Sequence, residues 1–358
     1  MTAKTLMLAA FAATTALPAL AASFNTLTGD APLVIAHRGA SGYLPEHTLA
    51  AYELAIQMGA DIVEPDVGTT ADGQLVVMHD DSLARTTNVE ELFAPRNGGY
   101  ALADFTLAEI KTLTVEPYAT ASETYPGFVP SMADPYRVPT FNEFLDWVSD
   151  YNDANGTTIG VYPESKPPST PAQNAGIVAA MNFHGFTGAD QNSYIQTFDH
   201  LAAFEIAELE GLLGMEVPVA ALGYATETAD GYAVYDYING SATTLEAMEG
   251  RLGGVGVSLG SPGLTSEFVA AAHALGLEVH AWTFNTMDPE AARAQYLEYI
   301  AMGLDGIFSN YPDLAVAAVR EYADMAPVPL PAALPVLLAG LGALGAGRSA
   351  APASVRAA

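Results

Sequence analysis

The chain contains no cysteine among its 358 residues. Disulfide bridges, a thiolate nucleophile and cysteine-ligated zinc are therefore excluded, and any bound metal must be held by oxygen or imidazole ligands. Basic residues are also scarce, with 12 lysines and arginines against 41 aspartates and glutamates and a formal charge of -29. This balance argues against binding to nucleic acid or to an anionic membrane surface, because both depend on cationic side chains.

The acidic surplus also restricts how the protein can hold an anion. An anionic substrate is repelled at long range, so a phosphate or carboxylate site needs a local cation, which a divalent metal supplies. The surplus itself has a simpler explanation as solvation of the surface in a saline habitat, and we favour that as its main cause. Half of the residues are hydrophobic, which is enough for one barrel-sized domain or two smaller ones.

Both ends of the chain have the composition of targeting segments. Residues 1–22 hold an apolar run and a small-residue cleavage site near Ala21, which predicts a signal peptide and a periplasmic or secreted location. Residues 327–348 contain a VPLPA motif and an apolar, glycine-rich stretch, shorter than the roughly 20 residues of a spanning helix. The arrangement resembles bacterial sorting tails, so we predict association with a membrane or surface, followed by a disordered end at 349–358.

Between these ends, over residues 31–322, short apolar segments alternate with amphipathic ones. Nine segments have the composition of buried strands, and several of the intervals have helical periodicity, as at Leu49, Tyr52 and Ile56. Helices that alternate with strands indicate a parallel sheet. We therefore predict an α/β fold, a TIM-like (βα)8 barrel, with one candidate strand outside the barrel wall. The candidates are a strand ending at His37 and the ranges 61–67, 75–79, 159–164, 194–198, 217–222, 255–259, 279–284 and 306–309.

Residues 85–137 interrupt this alternation. Apolar periodicity fades, prolines, glycines and aromatic residues occur at irregular spacing, and only Phe105–Leu113 has a helical pattern. Long irregular segments in compact domains tend to be functional lids, and a plain surface excursion is an equally weighted alternative. We predict that this segment is an inserted subdomain after the third strand.

Charged and imidazole side chains follow several of the predicted strands. His37 and Arg38 end the first, Glu64 and Asp66 lie in the second, and His79 ends the third. Because the carboxyl ends of parallel strands meet at one face of a barrel, these side chains should converge on one pocket. Two carboxylates spaced two residues apart on a strand can bind one cation together. Two imidazoles from separate strands fit a general acid and a general base.

Further candidates occur later in the chain. Glu164 and Lys166 repeat the two-residue spacing and offer one more oxygen ligand and an ammonium group for a phosphate, with an ion pair in a loop as the alternative. Gln196 and Trp282 sit at later strand ends, where lining the pocket and simple packing are equally weighted interpretations. We expect His47 to lie behind the site. The remaining histidines, expected to be structural or at the surface, are His184, His200, His273 and His280.

Several of these segments together resemble the glycerophosphodiester phosphodiesterase family, and in particular its secreted bacterial members. The resemblance covers about Leu33–Val319 and keeps the family's order of motifs. It is carried by HRGASGYLPEHT (37–48), DIVEPDV (61–67), QLVVMHDDSLARTTNV (74–89), DFTLAEIKTL (104–113), VYPESKPP (161–168), YIQTFD (194–199) and GIFSNYPD (306–313). It implies a βα barrel with an inserted subdomain, and hydrolysis of small glycerophosphodiesters to sn-glycerol 3-phosphate and an alcohol.

The resemblance also implies roles for individual residues. Glu64, Asp66 and Glu164 match the ligands of a divalent cation, commonly calcium in the secreted branch and magnesium in some other members. His37 and His79 match the acid and base pair. The resemblance does not say which histidine is the acid and which is the base.

Other matches concern the phosphate and its surroundings. Arg38 and Lys166 match residues that contact the phosphate, and Glu46 matches an acidic residue near the site. Pro65 between two of the carboxylates, and His47 where asparagine is common, depart from the family pattern without removing a catalytic group. Two alternatives remain open at this point. One is a phospholipase C-like or D-like enzyme acting on intact lipids, and the other is a non-catalytic surface protein that only binds a ligand.

Overall fold

The computed structural model describes residues 24–188 and 191–325. The predicted signal peptide (1–22), the sorting-like tail (327–348) and the predicted disordered end (349–358) lie outside the described residues, so these three remain predictions. In the part of the chain that is described, no helix combines the length and the apolar character needed to cross a membrane.

Strands and helices alternate along most of the described chain. The strands are β1 (Leu33–His37), β2 (Ile62–Glu64), β3 (Asp66–Thr69), β4 (Leu75–Val77), β5 (Gly160–Val161), β6 (Glu164–Ser165), β7 (Ile195–Thr197), β8 (Val219–Thr228), β9 (Gly231–Asp236), β10 (Ser241–Thr244), β11 (Gly254–Ser258), β12 (Glu278–Phe284) and β13 (Gly306–Ser309). The helices are α1 (Leu49–Met58), α2 (Val89–Leu92), α3 (Leu107–Ile110), α4 (Phe141–Asn155), α5 (Pro171–Phe183), α6 (His200–Leu213), α7 (Leu245–Met248), α8 (Ser266–Ala274), α9 (Pro289–Met302) and α10 (Pro312–Met325).

Eight parallel strands close into a barrel. If β2 and β3 are counted as one strand and β5 and β6 as another, each strand pairs with the next, and β13 pairs with β1 to complete the ring. The order round the barrel is β1, β2/β3, β5/β6, β7, β8, β11, β12 and β13. The predicted (βα)8 barrel is therefore confirmed.

The barrel interior leads directly to the polar side chains. Ile35 and Ile62 face each other across β1 and β2 and belong to a small buried cluster with Phe308. Side chains alternate between the two faces of a strand. His37 and Glu64, which lie two residues further on and are register partners, therefore leave from the same inward face at the carboxyl end of the barrel.

Prolines divide two of the barrel strands. Pro65 separates β2 from β3, and Pro163 falls between β5 and β6. Each half keeps its own parallel partner, and Asp66 on β3 is the register partner of Glu164 on β6. The predicted strands at 61–67 and 159–164 are thus each interrupted, because proline lacks the N–H that continues a ladder.

The inserted subdomain lies between the second and third strands of the barrel wall. It follows β4, which is the third of the strands predicted from the sequence. β4 pairs antiparallel with β3 and is the one candidate strand outside the wall. Met78, Leu102, Phe105 and Ile110 belong to a separate small core beneath it. Within the predicted helix at Phe105–Leu113, the structure forms the short helix α3, and its C-cap Lys111 also has a helical backbone conformation.

An antiparallel hairpin extends the barrel at β8. This strand continues past the barrel and pairs with β9, which pairs in turn with β10. The sequence-based prediction ended β8 at Leu222 and missed the hairpin. The signals for it are Asp230-Gly231 and Asn239-Gly240, since these dipeptides favour the tight turns of hairpins.

Candidate active site

Three buried carboxylates meet at the carboxyl end of the barrel. Glu64 ends β2, Asp66 begins β3 and Glu164 begins β6, and one carboxylate oxygen of each lies within 4.8 Å of the other two. Their residues are only 1%, 1% and 6% exposed. Buried carboxylates this close repel one another unless a proton or a cation lies between them. The arrangement has the oxygen donors that a hard divalent cation requires.

Burial changes the protonation of this cluster. Burial and the charge of Asp66 raise the pKa of Glu64 well above its ordinary value. Burial also raises the pKa of Glu164 to about 8, although the charge of Lys166 opposes this shift. Asp66 behaves differently, because burial is outweighed by Lys166, His79 and Arg38, which together hold its pKa well below the usual range. Without a cation, burial therefore favours the protonated forms of Glu64 and Glu164.

Two cationic side chains lie against the carboxylates. Arg38 Nε is 3.2 Å from Asp66 Oδ2 without forming a hydrogen bond, and the Arg38 backbone N–H donates to Glu64 Oε2 at 2.9 Å. Lys166 Nζ lies 3.0 Å from Glu164 Oε1 and 3.8 Å from Asp66 Oδ1. Glu164 Oε1 is buried and accepts no hydrogen bond within the described residues. A buried oxygen in this state fits a metal ligand.

The two predicted histidines face the carboxylates with different partners. His37 Nδ1 is 2.7 Å from Asn310 Oδ1, and burial together with the charge of Arg38 lowers the pKa of His37 to about 3, so its imidazole is neutral. His79 lies two residues beyond β4, and its Nδ1 is 2.5 Å from Asp80 Oδ1. One imidazole is thus held by an amide and the other by a carboxylate.

A charged network supports this site and joins Arg38 and Glu46, which the sequence indicated, to Arg85 and Asp80, which it did not. Arg85 Nη2 donates to Glu46 Oε1 at 2.7 Å and to Asp80 Oδ1 at 3.0 Å, and Arg85 Nε also donates to Asp80. Glu46 accepts a further hydrogen bond from Arg38 Nη1 at 3.2 Å. Burial opposes the ionisation of Glu46, but the Arg85 hydrogen bond and the charge of Arg38 lower its pKa to about 2. Glu46 therefore joins two arginines behind the carboxylates.

His47 lies behind the site, as expected. Its Nε2 is 2.8 Å from Asp66 Oδ2, and its Nδ1 is 2.8 Å from the hydroxyl of Tyr52. The side chain is only 3% exposed, and its backbone adopts a left-handed φ of 62°. Positive φ is unusual for residues other than glycine and is found where the surroundings over-determine a local structure. Here it places the imidazole on the oxygen of Asp66 that also faces Arg38.

A small cavity of about 120 Å³, called the central cavity below, adjoins the cluster. Gln196 lines it, donating from Nε2 to Glu64 Oε1 at 3.3 Å, and so does Trp282, whose Nε1 donates to Gly256 O at 3.0 Å. Both side chains thus reach the pocket. The residues that line it are His37, Arg38, Glu64, His79, Glu164, Gln196, Phe198, Leu222, Trp282, Thr283 and Phe308.

Two larger cavities flank the central one. The His79 cavity, of about 330 Å³, lies next to His79 and Lys166 and is bordered by Ala101–Ala103 of the inserted subdomain. The His37 cavity, of about 290 Å³, lies next to His37 and Arg38 and is lined by Arg85 and Tyr118. The inserted subdomain therefore contributes to the walls on both sides of the site, as a lid-like segment would.

The four later histidines belong to the framework. His200 Nε2 lies 3.0 Å from Leu222 O, and His280 Nδ1 lies 3.0 Å from the hydroxyl of Tyr162. His273 Nε2 lies 2.8 Å from Asp305 Oδ2, and His184 contacts Asn142 and Asp146. None of them lines the central cavity.

Comparison with known proteins agrees with this geometry. The model of the glycerophosphoryl diester phosphodiesterase family matches residues 37–314. A glycerophosphodiester phosphodiesterase of Bacillus subtilis is 33% identical over 302 residues, which cover 83% of this chain and 90% of that protein. One from Haemophilus influenzae is 35% identical over 212 residues, 55% of this chain and 58% of the relative. The chain belongs to the glycerophosphoryl diester phosphodiesterase family.

Solved structures show the same fold. A glycerophosphoryl diester phosphodiesterase from Parabacteroides distasonis is 19% identical, with a TM-score of 0.56, and the match covers 86% of this chain and 95% of that one. A phosphodiesterase from Oleispira antarctica is 26% identical with a TM-score of 0.58, covering 82% of this chain and 99% of the other. The Oleispira structure is a complex with the product sn-glycerol-3-phosphate.

Proposed function

We propose that this protein hydrolyses glycerophosphodiesters to sn-glycerol 3-phosphate and an alcohol, using a divalent cation and two histidines. The observation that carries the proposal is the convergence of three buried carboxylates with His37 and His79 around one small cavity. The names of the relatives and the product bound to the Oleispira protein support the substrate class. The reaction is a hydrolysis of the phosphate bond to the alcohol.

Glu64, Asp66 and Glu164 would hold the cation. All three offer oxygen ligands, which suit calcium or magnesium, and no thiolate is available for softer metals. We favour calcium because the sequence resembles the secreted branch of the family, with magnesium as the second choice. When bound, such a cation neutralises phosphate charge and lowers the pKa of a coordinated hydroxyl.

Arg38 and Lys166 would bind the phosphate. Each is within 3.2 Å of a carboxylate of the cluster, and each lies next to the central cavity or the His79 cavity. In a chain with a net charge of -29, these two cations supply the local positive charge that a phosphodiester needs. Their positions orient the phosphate between the two histidines.

His37 acts as the general base and His79 as the general acid. With Asn310 accepting from Nδ1, neutral His37 has a free lone pair at Nε2 for the proton of the attacking oxygen. That oxygen belongs either to water or to the glycerol 2-hydroxyl, which forms a cyclic phosphate first. The carboxylate of Asp80 contacts Nδ1 of His79 and orients its ring, so His79 can donate a proton to the leaving alcohol.

We also propose where the protein works. The predicted signal peptide at 1–22 supports export to the periplasm or the cell exterior, and the predicted tail at 327–348 supports retention at a surface. Fractionation of cells that express the full chain tests this. Recovery of the protein with cytoplasmic markers would contradict it.

The direct test of the reaction uses His37→Ala and His79→Ala. Each should lower release of sn-glycerol 3-phosphate from glycerophosphocholine by about 10² to 10⁴, with an unchanged circular dichroism spectrum. Micelles of intact phospholipid serve as the second substrate. Near wild-type turnover by either variant would contradict the assigned roles, and activity on micelles alone would favour the phospholipase alternative.

A further inference from the structure

The His79 cavity lies on the other side of His79 from the central cavity. It is bounded by Gly68–Thr70 at the end of β3, by Met78–Asp81, by Ala101–Ala103 and by the loop that starts at Lys166. Its volume of about 330 Å³ falls in the range of small-molecule sites. The central cavity, at about 120 Å³, is much smaller.

Backbone contacts hold the walls of this cavity in place. The Leu102 N–H donates to Asp81 O at 2.7 Å, and the Leu83 N–H donates to Tyr100 O at 2.9 Å. Leu102 also covers Gly68, where an added Cβ would come within 2.6 Å of Leu102 Cδ2. The inserted subdomain is therefore attached along this edge to the segment that follows β4 and, through Leu102, to β3 of the barrel. A cavity with walls of this kind is formed before a ligand arrives.

We propose that the His79 cavity binds the alcohol part of the phosphodiester, an inference that rests on the proposed function. The phosphorus–oxygen bond to the alcohol breaks, the attacking oxygen forms a new bond to phosphorus, His37 takes the proton of that oxygen, and His79 gives one to the alcohol. In an in-line displacement the attacking and leaving oxygens lie on opposite sides of phosphorus. The alcohol must therefore lie beside His79, whereas the His37 cavity adjoins the base.

The chemistry of the cavity favours an alcohol that carries a positive charge. The carboxylate of Asp80 is already engaged by Arg85 and His79. The neighbouring Asp81 lines the cavity, and its carboxylate contacts no donor or cation within the described ranges. A free carboxylate attracts an ammonium group, and apolar walls accept its methyl or methylene groups. The apolar side chains of the wall include Met78, Leu102, Pro167 and Pro168.

The test compares substrates that share glycerol phosphate and differ in the alcohol. Glycerophosphocholine would fill the cavity, whereas the methyl ester of sn-glycerol 3-phosphate would leave it empty. Ala103→Trp fills the cavity from an exposed position. We expect it to lower the ratio of kcat/KM for glycerophosphocholine to that for the methyl ester by about tenfold or more.

Two further variants complete the test. Asp81→Asn should lower kcat/KM for glycerophosphocholine relative to that for neutral glycerophosphoglycerol by about two- to fivefold, mainly through KM, because an exposed charge pair is weak. Asn285→Trp is the matched control, since Asn285 is exposed and lines the His37 cavity. It should leave the ratio for glycerophosphocholine and the methyl ester unchanged.

The outcomes separate this inference from the proposed function. Unchanged ratios in Ala103→Trp and Asp81→Asn, or a fall in the ratio with Asn285→Trp, would place the alcohol elsewhere and overturn the inference while hydrolysis stands. If Ala103→Trp abolishes hydrolysis of both glycerophosphocholine and the methyl ester, the substrate ratio of Asp81→Asn decides, because that variant leaves the volume of the His79 cavity unchanged. Wild-type protein that cleaves none of these substrates with calcium or magnesium would overturn the proposed function and the inference together.

Discussion

Binding of a divalent cation should expel protons from the carboxylate cluster at neutral pH. In the cation-free protein, burial raises the pKa of Glu164 to about 8 and that of Glu64 well above its ordinary value. A cation bound by these two and Asp66 needs all three in the ionised form, because the carboxylate and not the acid is the ligand. Cation uptake and proton release are therefore linked.

Glu164 sets a lower limit for the size of this effect. With its pKa at about 8, roughly nine in ten molecules carry a proton on Glu164 at pH 7 and roughly one in ten at pH 9. Cation affinity should therefore strengthen about tenfold over this interval, which is about 1.4 kcal/mol. The pKa of Glu64 is also raised, so each cation should release about one proton or more at pH 7.

The free energy of unfolding of the cation-free protein should decrease as pH rises, whereas the cation affinity increases. Glu164 loses its proton near 4.5 in the unfolded chain and near 8 in the folded one. The folded state thus binds more protons in this window, and stability falls as pH rises through it. A bound cation should remove much of this loss, because it stabilises the ionised carboxylates.

Isothermal titration calorimetry measures this linkage directly. Calcium is titrated into chelator-treated protein at pH 7 in two buffers that differ in ionisation enthalpy, and the titration is repeated at pH 9. Glu164→Gln is the control, because it removes one titrating group and should reduce proton release by about one per cation. Equal affinity at both pH values with no proton release would refute the assignment of these carboxyls.

Three further predictions concern activity and stability. Asp80→Asn removes the charge beside His79, so kcat should fall about 10- to 100-fold with an unchanged circular dichroism spectrum. Burial raises the pKa of Glu210 to about 8, so its ionisation destabilises the fold as pH rises from 4.5. Glu210→Gln should therefore raise Tm at pH 9 and raise it much less at pH 5. The gain in the free energy of unfolding at pH 9 has an upper limit of about 5 kcal/mol. Gly42→Ala should lower stability by about 1–3 kcal/mol in urea unfolding, because its Cβ would come within 2.2 Å of Tyr311 Cε1.

Specific results would contradict each of these predictions. Wild-type kcat in Asp80→Asn would show that this carboxylate gives His79 no help. Equal gains in Tm at pH 5 and pH 9 for Glu210→Gln would assign the gain to packing and not to ionisation. An unchanged urea midpoint for Gly42→Ala would show that the tyrosine ring moves aside without penalty.

Much of the barrel is predictable from the sequence because it depends on local hydrophobic patterns. The alternation of apolar and amphipathic segments marks the strands, and the short interval between β3 and β4 leaves no room for a helix. The interruptions at Pro65 and Pro163 were not anticipated, because an apolar run reads as one strand whether or not its ladder is continuous. The strands β9 and β10 were missed because β8 is one continuous strand. Its first residues pair in parallel with β7 in the barrel, and its last residues pair antiparallel with β9 outside the barrel.

The candidate active site was likewise predictable only in part from the sequence. Side chains at strand ends were predicted to meet, since parallel strands bring their carboxyl ends together. Arg85 comes from the inserted subdomain and reaches Glu46 across 39 positions, and Asn310 reaches His37 across 273. No local pattern links residues so far apart, so only the folded chain shows these partners.

The most direct test of the central claim is release of sn-glycerol 3-phosphate from glycerophosphocholine by the chelator-treated protein, before and after adding calcium or magnesium. We predict no release without a cation, and restored turnover with calcium that Glu64→Gln, Asp66→Asn and Glu164→Gln each reduce. Full turnover in the presence of the chelator would contradict a cation held by these carboxylates. A folded protein that releases no product with either cation would contradict the proposed reaction.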